Sequence, residues 1–430
     1  MIYIIGQENE KNQITPIDDI IEEIFEEPRK DNSEIETIAR IKNAATNSKI
    51  DIKDTHIYSP KSVIFAKSGD KIYINSLEGG ETVVYDFPSL KQNKVIKHTF
   101  DAQNSHLFKD DESSIFDYKF YQNTKFPNHF LGKPVESALS HNGRYLWVTY
   151  YRRSYDNMAI SPSAIAIIDT QIDEIVRVMP TGPLPKMVAV SHDEKTLAVV
   201  HWGDNTVALM DISGDNPDEF YYTHLLELNR QKNLSSLQGN RDKVCGECLR
   251  GTVFSSDDTK LFVARMGRGG IAVFDLVEKK YIGSVTNVAN SPRHLAISKD
   301  GRTLFVSSNR SGIVTKFSVD EILDEIDKKG NANLRGDEIF VGGGARTLAL
   351  SNDEKSLYVV SNNECKLVEI DIDLWEKVRQ IDAPSYPVGL AVSPDGRYVV
   401  TTSQGKDGVG GNAVGVYKTK NISKQYYIIE

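Results

Sequence analysis

The chain has 430 residues, a formal net charge of −9 and 40% hydrophobic residues, an ordinary globular composition. Its acidity argues against a protein that coats nucleic acid through overall charge. No apolar stretch approaches the roughly 18 residues of a membrane-spanning helix.

MIYIIG (Met1–Gly6) is β-like. It is too short for a signal-peptide core and has no basic region before it. TPIDDIIEEIFEEP (Thr15–Pro28) predicts a helix. Thr15 suits the N-cap and Pro16 the first helical position, while Asp18, Asp19, Glu22 and Glu23 favour its N-terminus. Ile17, Ile20, Ile21 and Ile24 form an apolar stripe, and Pro28 stops it. A second helix is expected over Asn32–Ala45. Residues 1–58 are thus expected to be a small helical prefix, and 59–430 a separate domain.

One phrase then recurs: a short apolar run ending in Ser, a turn with Asp or Asn, and a second apolar run. LAISKDGRTLFVSS (Leu295–Ser308), LALSNDEKSLYVVS (Leu348–Ser361) and LAVSPDGRYVVTTS (Leu390–Ser403) are the clearest copies. Aligned on the last residue of the first run, the seven copies fall at Ala66, Ser140, Ser191, Ser255, Ser298, Ser351 and Ser393. Each reads as strand, tight turn, strand. A third β-rich run follows, such as TVALMDI (Thr206–Ile212) or AVGVYK (Ala413–Lys418), and then a ragged fourth. No isolated unit buries both sheet faces, but seven packed radially do. The expected fold is all-β, a seven-bladed β-propeller. Met1–Ile5 and Gln425–Ile429 compete as the outer strand that closes it.

Residues 100–133 and 213–247 read as insertions between blades, rich in Tyr, Phe and His. VCGEC carries Cys245 and Cys248, and a local disulfide, two free thiols and half of a metal site all remain open. Cys365 reads as packing. There is no Gly-x-Ser-x-Gly elbow, Walker loop or His-Glu-x-x-His motif, so no cofactor and no metal are expected.

The repeat register points to a site. Five residues before each aligned position stand Lys61, Val135, Lys186, Arg250, Arg293, Arg346 and Val388. The loops between second and third strands belong to the same face. They add Arg152, Arg153, His201, Arg265, Arg268 and Arg310, and Trp202 stands beside His201 as a stacking surface. The Asp-bearing turns, with Asp193, Asp257, Asp300, Asp353 and Asp395, lie on the opposite face. Positive charge is thereby gathered at one mouth of the channel, where Glu136 and Asp204 are the local acids. Arginine forks there suit carboxylate or phosphate.

LFVSSN (Leu304–Asn309), LYVVSN (Leu357–Asn362) and LWVTY (Leu146–Tyr150) resemble the YVTN family of β-propellers. That resemblance implies a bacterial or archaeal, extracytoplasmic protein of the periplasm or cell surface. SPRHLAISKDGRTLFVSSNRSG (Ser291–Gly312) is similar to the Pro-Arg-His segment of 6-phosphogluconolactonase-type propellers. The resemblance implies that Arg293 and His294 face a cleft, although that family continues with Asn-Glu where this chain has Asn309-Arg310. The leading functional expectation is a non-enzymatic propeller that recognises an anionic small molecule or an acidic protein surface. Its ligand-binding set is Lys186, His201, Trp202, Arg250, Arg265, Arg268, Arg293, His294, Arg310 and Arg346. The alternatives are a lactone hydrolase using His294 and Arg293, and a structural subunit that presents loops to other proteins.

Overall fold

The computed structural model describes residues 35–44, 48–108, 128–154, 156–230, 239–406 and 410–419. Seven sheets follow one another along the chain, antiparallel except where Glu36–Lys42 pairs in parallel with Asp51–Lys53. They are blade 1 (60–97), blade 2 (130–181), blade 3 (185–227), blade 4 (249–285), blade 5 (292–340), blade 6 (345–382) and blade 7 (387–418). Each begins with its innermost strand. These inner strands pack one on the next, and that of blade 7 returns to that of blade 1, so the ring is closed. Apolar clusters fill the spaces between neighbouring blades. Ala198 and Val200 of blade 3, for example, meet Leu261 and Val263 of blade 4.

The recurring phrase has a physical cause. In blades 3 to 7 the repeat serine (Ser191, Ser255, Ser298, Ser351, Ser393) donates to the aspartate two residues on, at 2.5–2.7 Å. Its oxygen accepts the main-chain N–H five residues on, at 2.9–3.0 Å. Side chains thus satisfy the turn that the ladder cannot. Three residues after each aligned position the backbone has positive φ, at Gly69, Gly143, Glu194, Asp258, Gly301, Glu354 and Gly396. Glycine adopts this at no cost. Where an acid stands instead, it reaches the turn of the preceding blade. Glu194 Oε2 accepts from Asn142 N, Asp258 from His192 N and Asp193 N, and Glu354 Oε1 from Lys299 N. The acidic face therefore fastens blade to blade.

Several expectations change. Glu36–Lys42 is a strand, not part of a helix, and pairs antiparallel with Ala413–Lys418 as the fourth strand of blade 7. It alternates, burying Ala39 and Ile41, and a waiting sheet edge overrides its helical spacing. The expected boundary after residue 58 is thus not a break in the sheet, and the chain divides into Met1–Glu34 and Ile35–Glu430. The expected helix Thr15–Pro28 and the rival closing strands Met1–Ile5 and Gln425–Ile429 lie outside the described residues. The stretch 213–247 is not all insertion, because Tyr221–Glu227 forms the outer strand of blade 3. Blade 5 carries a helix, Val319–Lys329, between its last two strands. Ser318 caps it, Gly330 ends it at φ 76°, and Val319, Ile322 and Ile326 are buried.

Candidate anion-binding site

Lys61, Lys186, Arg250, Arg293, Arg346 and Val388 each stand second in an innermost strand. Pro60, Pro185, Pro292 and Pro387 open four of these strands, where a missing N–H does least harm. In all six, the pairing register shifts across this position. A bulge re-aims a side chain, and here it recurs at the same place in each blade. Blade 2 has two such shifts, and its contribution is Glu136 rather than Val135.

Four of the five basic side chains are buried, and Arg293 is partly exposed. Lys61 is 8% exposed, Lys186 and Arg250 7%, and Arg346 6%. They also act on one another. Burial holds the Lys61 ammonium well below the usual lysine range, Arg346, Arg250 and Arg293 push it the same way, and Glu136 opposes them. Burial brings Lys186 down to about 7 against the pull of Asp242, and Arg250 and Arg293 add to the depression. Burial also lowers Arg293 and Arg346, and Arg250 reinforces both.

Two carboxylates answer these five cations among the described residues. Asp242 meets Lys186 at 2.8 Å, and Glu136 lies 3.9 Å from Arg250. Aromatic rings supply the rest. The Lys186 amine is 3.9 Å from the Tyr151 centroid and 5.3 Å from that of Trp202, and Arg346 is 5.7 Å from Tyr386. Arg293 donates to the soft sulfur of Met266, at 3.5 Å.

The other expected site residues are dispersed. His201 ends the second strand of blade 3, fully buried, with its ring nitrogens on Thr181 at 2.7 Å and Thr206 at 2.8 Å. Burial takes its pKa to about 3, so it is a neutral packing residue. Trp202 is buried too, and its indole N–H donates to the Arg241 carbonyl at 3.2 Å. Its ring still edges the cluster, 5.9 Å from the Arg250 guanidinium. Arg265 is committed to Glu247 at 2.8 Å, and Asp204 is held by Thr206 at 2.8 Å. Arg152 donates to the Asn157 carbonyl at 3.0 Å and the buried Arg153 to that of Pro162. Arg268 and Arg310 are exposed in turns. His294 follows Arg293, and its Nδ1 is buried without a hydrogen-bond partner. Burial, then Arg250 and Arg293, hold it at about 4, neutral at pH 7.

Asp242, Tyr151, Tyr386 and Met266 were not anticipated. Three of them lie in connecting segments that no repeat aligns. Asp242 belongs to a segment pinned by Arg241, which donates to the Gly203 carbonyl at 2.8 Å, and by the Cys245–Cys248 disulfide. Both cysteines are buried with Trp202 and Leu184, so the local-disulfide reading is the one found. No group of three or more His, Cys, Asp or Glu is placed to hold a metal among the described residues. A separate cavity of about 600 Å³ lies elsewhere, where blades 6 and 7 meet, lined by Arg40, Asp382, Ser385, Asn412 and Tyr417. It holds none of the five cations.

A family model described as lactonase, 7-bladed beta-propeller, matches residues 227–341, which include Arg250, Arg293 and His294. No curated protein matches the sequence. Among solved structures the fold is similar to Kuenenia stuttgartiensis hydrazine synthase, at 13% identity and TM-score 0.59, covering 87% of this chain and 99% of that one. It is equally similar to the β-propeller domain of Myceliophteria thermophila Cps50 (Swd1), at 13% identity and TM-score 0.59, covering 86% and 99%. At such identity the likeness is one of fold. Seven closed blades make this chain a seven-bladed β-propeller, and its blades 4 and 5 match the lactonase propeller model.

Proposed function

We propose that the propeller binds a small anion where Lys61, Lys186, Arg250, Arg293 and Arg346 converge. One observation carries this reading: among the described residues five clustered cations, four of them buried, are answered by two carboxylates. Buried charges are normally paired, and an unanswered one costs several kcal/mol. A bound carboxylate or phosphate relieves that cost, and guanidinium forks accept it bidentately. The shielding favours a small molecule over an acidic protein surface. The reading is one of recognition, without catalysis. Its test is thermal unfolding with and without sulfate or citrate, on the wild type and on Arg293→Ala with Arg346→Ala. Anions are expected to stabilise the wild type more, through linkage, and added chloride to narrow the gap. Equal stabilisation of both proteins refutes the site.

The lactonase match keeps a second reading in view, hydrolysis with His294 as base and Arg293 as oxyanion partner. An imidazole held at about 4 is a weak base at pH 7, and this counts against the reading. Turnover of sugar-acid lactones that falls about 10²-fold in His294→Ala would support it. Turnover unchanged in that variant would exclude it.

A further inference from the structure

Lys61 stands apart within the cluster. Lys186 has Asp242, Arg250 has Glu136, and Arg346 has the Tyr386 ring beside it. Among the described residues no carboxylate forms an ion pair with the Lys61 amine, although the side chain is 8% exposed and three arginines act on it, opposed by Glu136. We infer that this site captures a short 2-oxo acid, with its carboxylate held by Arg250, Arg293 and Arg346 and its carbonyl carbon bonded to Lys61 as an imine. The inference rests on the anion-site reading and adds covalent chemistry to it.

The argument starts from which groups can shed charge. A guanidinium keeps its proton in a protein, whereas a lysine amine gives its up when buried. In a cluster with surplus positive charge, the unpaired lysine is where the repulsion is relieved. Burial and the three arginines depress Lys61 in that direction. A neutral amine beside other cations is a nucleophile for carbonyl carbon. The planar forks around it orient a carboxylate. An oxo acid unites the two functions, and the burial of Lys61, Arg250 and Arg346 selects a short one. In the step itself, the amine lone pair forms the C–N bond and the carbonyl π pair moves to oxygen. The carbinolamine then loses that oxygen with the two amine protons as water. Nothing is oxidised or reduced.

The experiment treats the whole protein with glyoxylate and cyanoborohydride at pH 7, with peptide mass spectrometry over time. A lowered lysine pKa raises the free-amine fraction, so Lys61 should become carboxymethylated several-fold faster than the exposed Lys67 and Lys91. Sulfate, and Arg293→Ala with Arg346→Ala, should slow Lys61 alone. Lys61→Arg keeps the charge and should still be stabilised by sulfate. If Lys61 reacts no faster than Lys67 while sulfate still stabilises the wild type, the imine is refuted and the anion site stands. If sulfate does not stabilise it either, both fall. Dominant labelling of Lys186 refutes the assignment to Lys61. Fast labelling indifferent to sulfate and to the arginines refutes the carboxylate subsite.

Discussion

Ring closure by Glu36–Lys42 makes a quantitative claim. Ile41 is fully buried, opposite Val414, in a cluster with Ile57, Val63, Ile72 and Val416. Replacing it with alanine removes three carbons from a packed core, which costs about 2–5 kcal/mol. Glu36, at the exposed end of the same strand, should change stability by no more than about 0.5 kcal/mol when replaced by alanine. Truncation sharpens the contrast. Removing residues 1–34 leaves every described strand of the ring in place. Removing 1–44 strips the ladder from Ala413–Lys418 and uncovers Val414 and Val416. Ala39 and Ile41 are lost with the strand's ladder bonds, at about 1 kcal/mol per bond. The total approaches the 5–15 kcal/mol that holds a domain folded. Urea denaturation followed by tryptophan fluorescence reads all four proteins. If the two truncations share a midpoint, or Ile41→Ala unfolds with the wild type, the strand does not close the ring.

Other outcomes follow from the same contacts. Lys186, held at about 7 when folded and near 10.5 when unfolded, binds fewer protons in the native state across that interval. Its linkage therefore makes stability rise from pH 7 towards pH 10. Lys186→Met should flatten that rise, and a rise identical in both proteins would contradict the assignment. Asp258→Ala deprives two main-chain N–H groups of blade 3 of their acceptor and leaves a side chain at φ 57°. A loss of about 1–3 kcal/mol is expected in chemical denaturation, and no loss would deny the clamp. The turn aspartates titrate the other way. Burial raises the pKa of Asp193, but hydrogen bonds from Ser191 and Lys195 N outweigh it, and the carboxyl stays below the usual range. The stability it supplies is present above pH 4 and is lost as pH falls further. Ser191→Ala should shift that acid transition upward.

The seven blades were legible because each copy repeats a tight turn between two apolar strands, closed in blades 3 to 7 by the same Ser–Asp pair. The basic register was legible for the same reason. Lys61, Lys186, Arg250, Arg293 and Arg346 could be aligned without knowing that a bulge turns them inward. Blade 2 departed by one residue because its inner strand is longer and shifts register twice, which puts Glu136 where Val135 was expected. His201 and Trp202 were misplaced because proximity to a loop is not exposure. Asp242, Tyr386 and Met266 sit in connections without periodicity, so no spacing argument reached them. The strand Glu36–Lys42 was hidden because its partner lies at the other end of the chain. Local propensity carries no information about such an edge.

That pairing has a consequence for biosynthesis. The strand Glu36–Lys42 leaves the ribosome before the first blade, and its partner Ala413–Lys418 follows only after six blades have been made. At about 5–20 residues per second, the early strand waits on the order of 20–80 s for its partner. During that time six blades can form while an alternating apolar segment stays unpaired beside growing sheet edges, a template for contact with another nascent chain. Substitutions that slow translation late in the message should therefore lower the yield of soluble protein without altering the stability of the molecules that complete the ring.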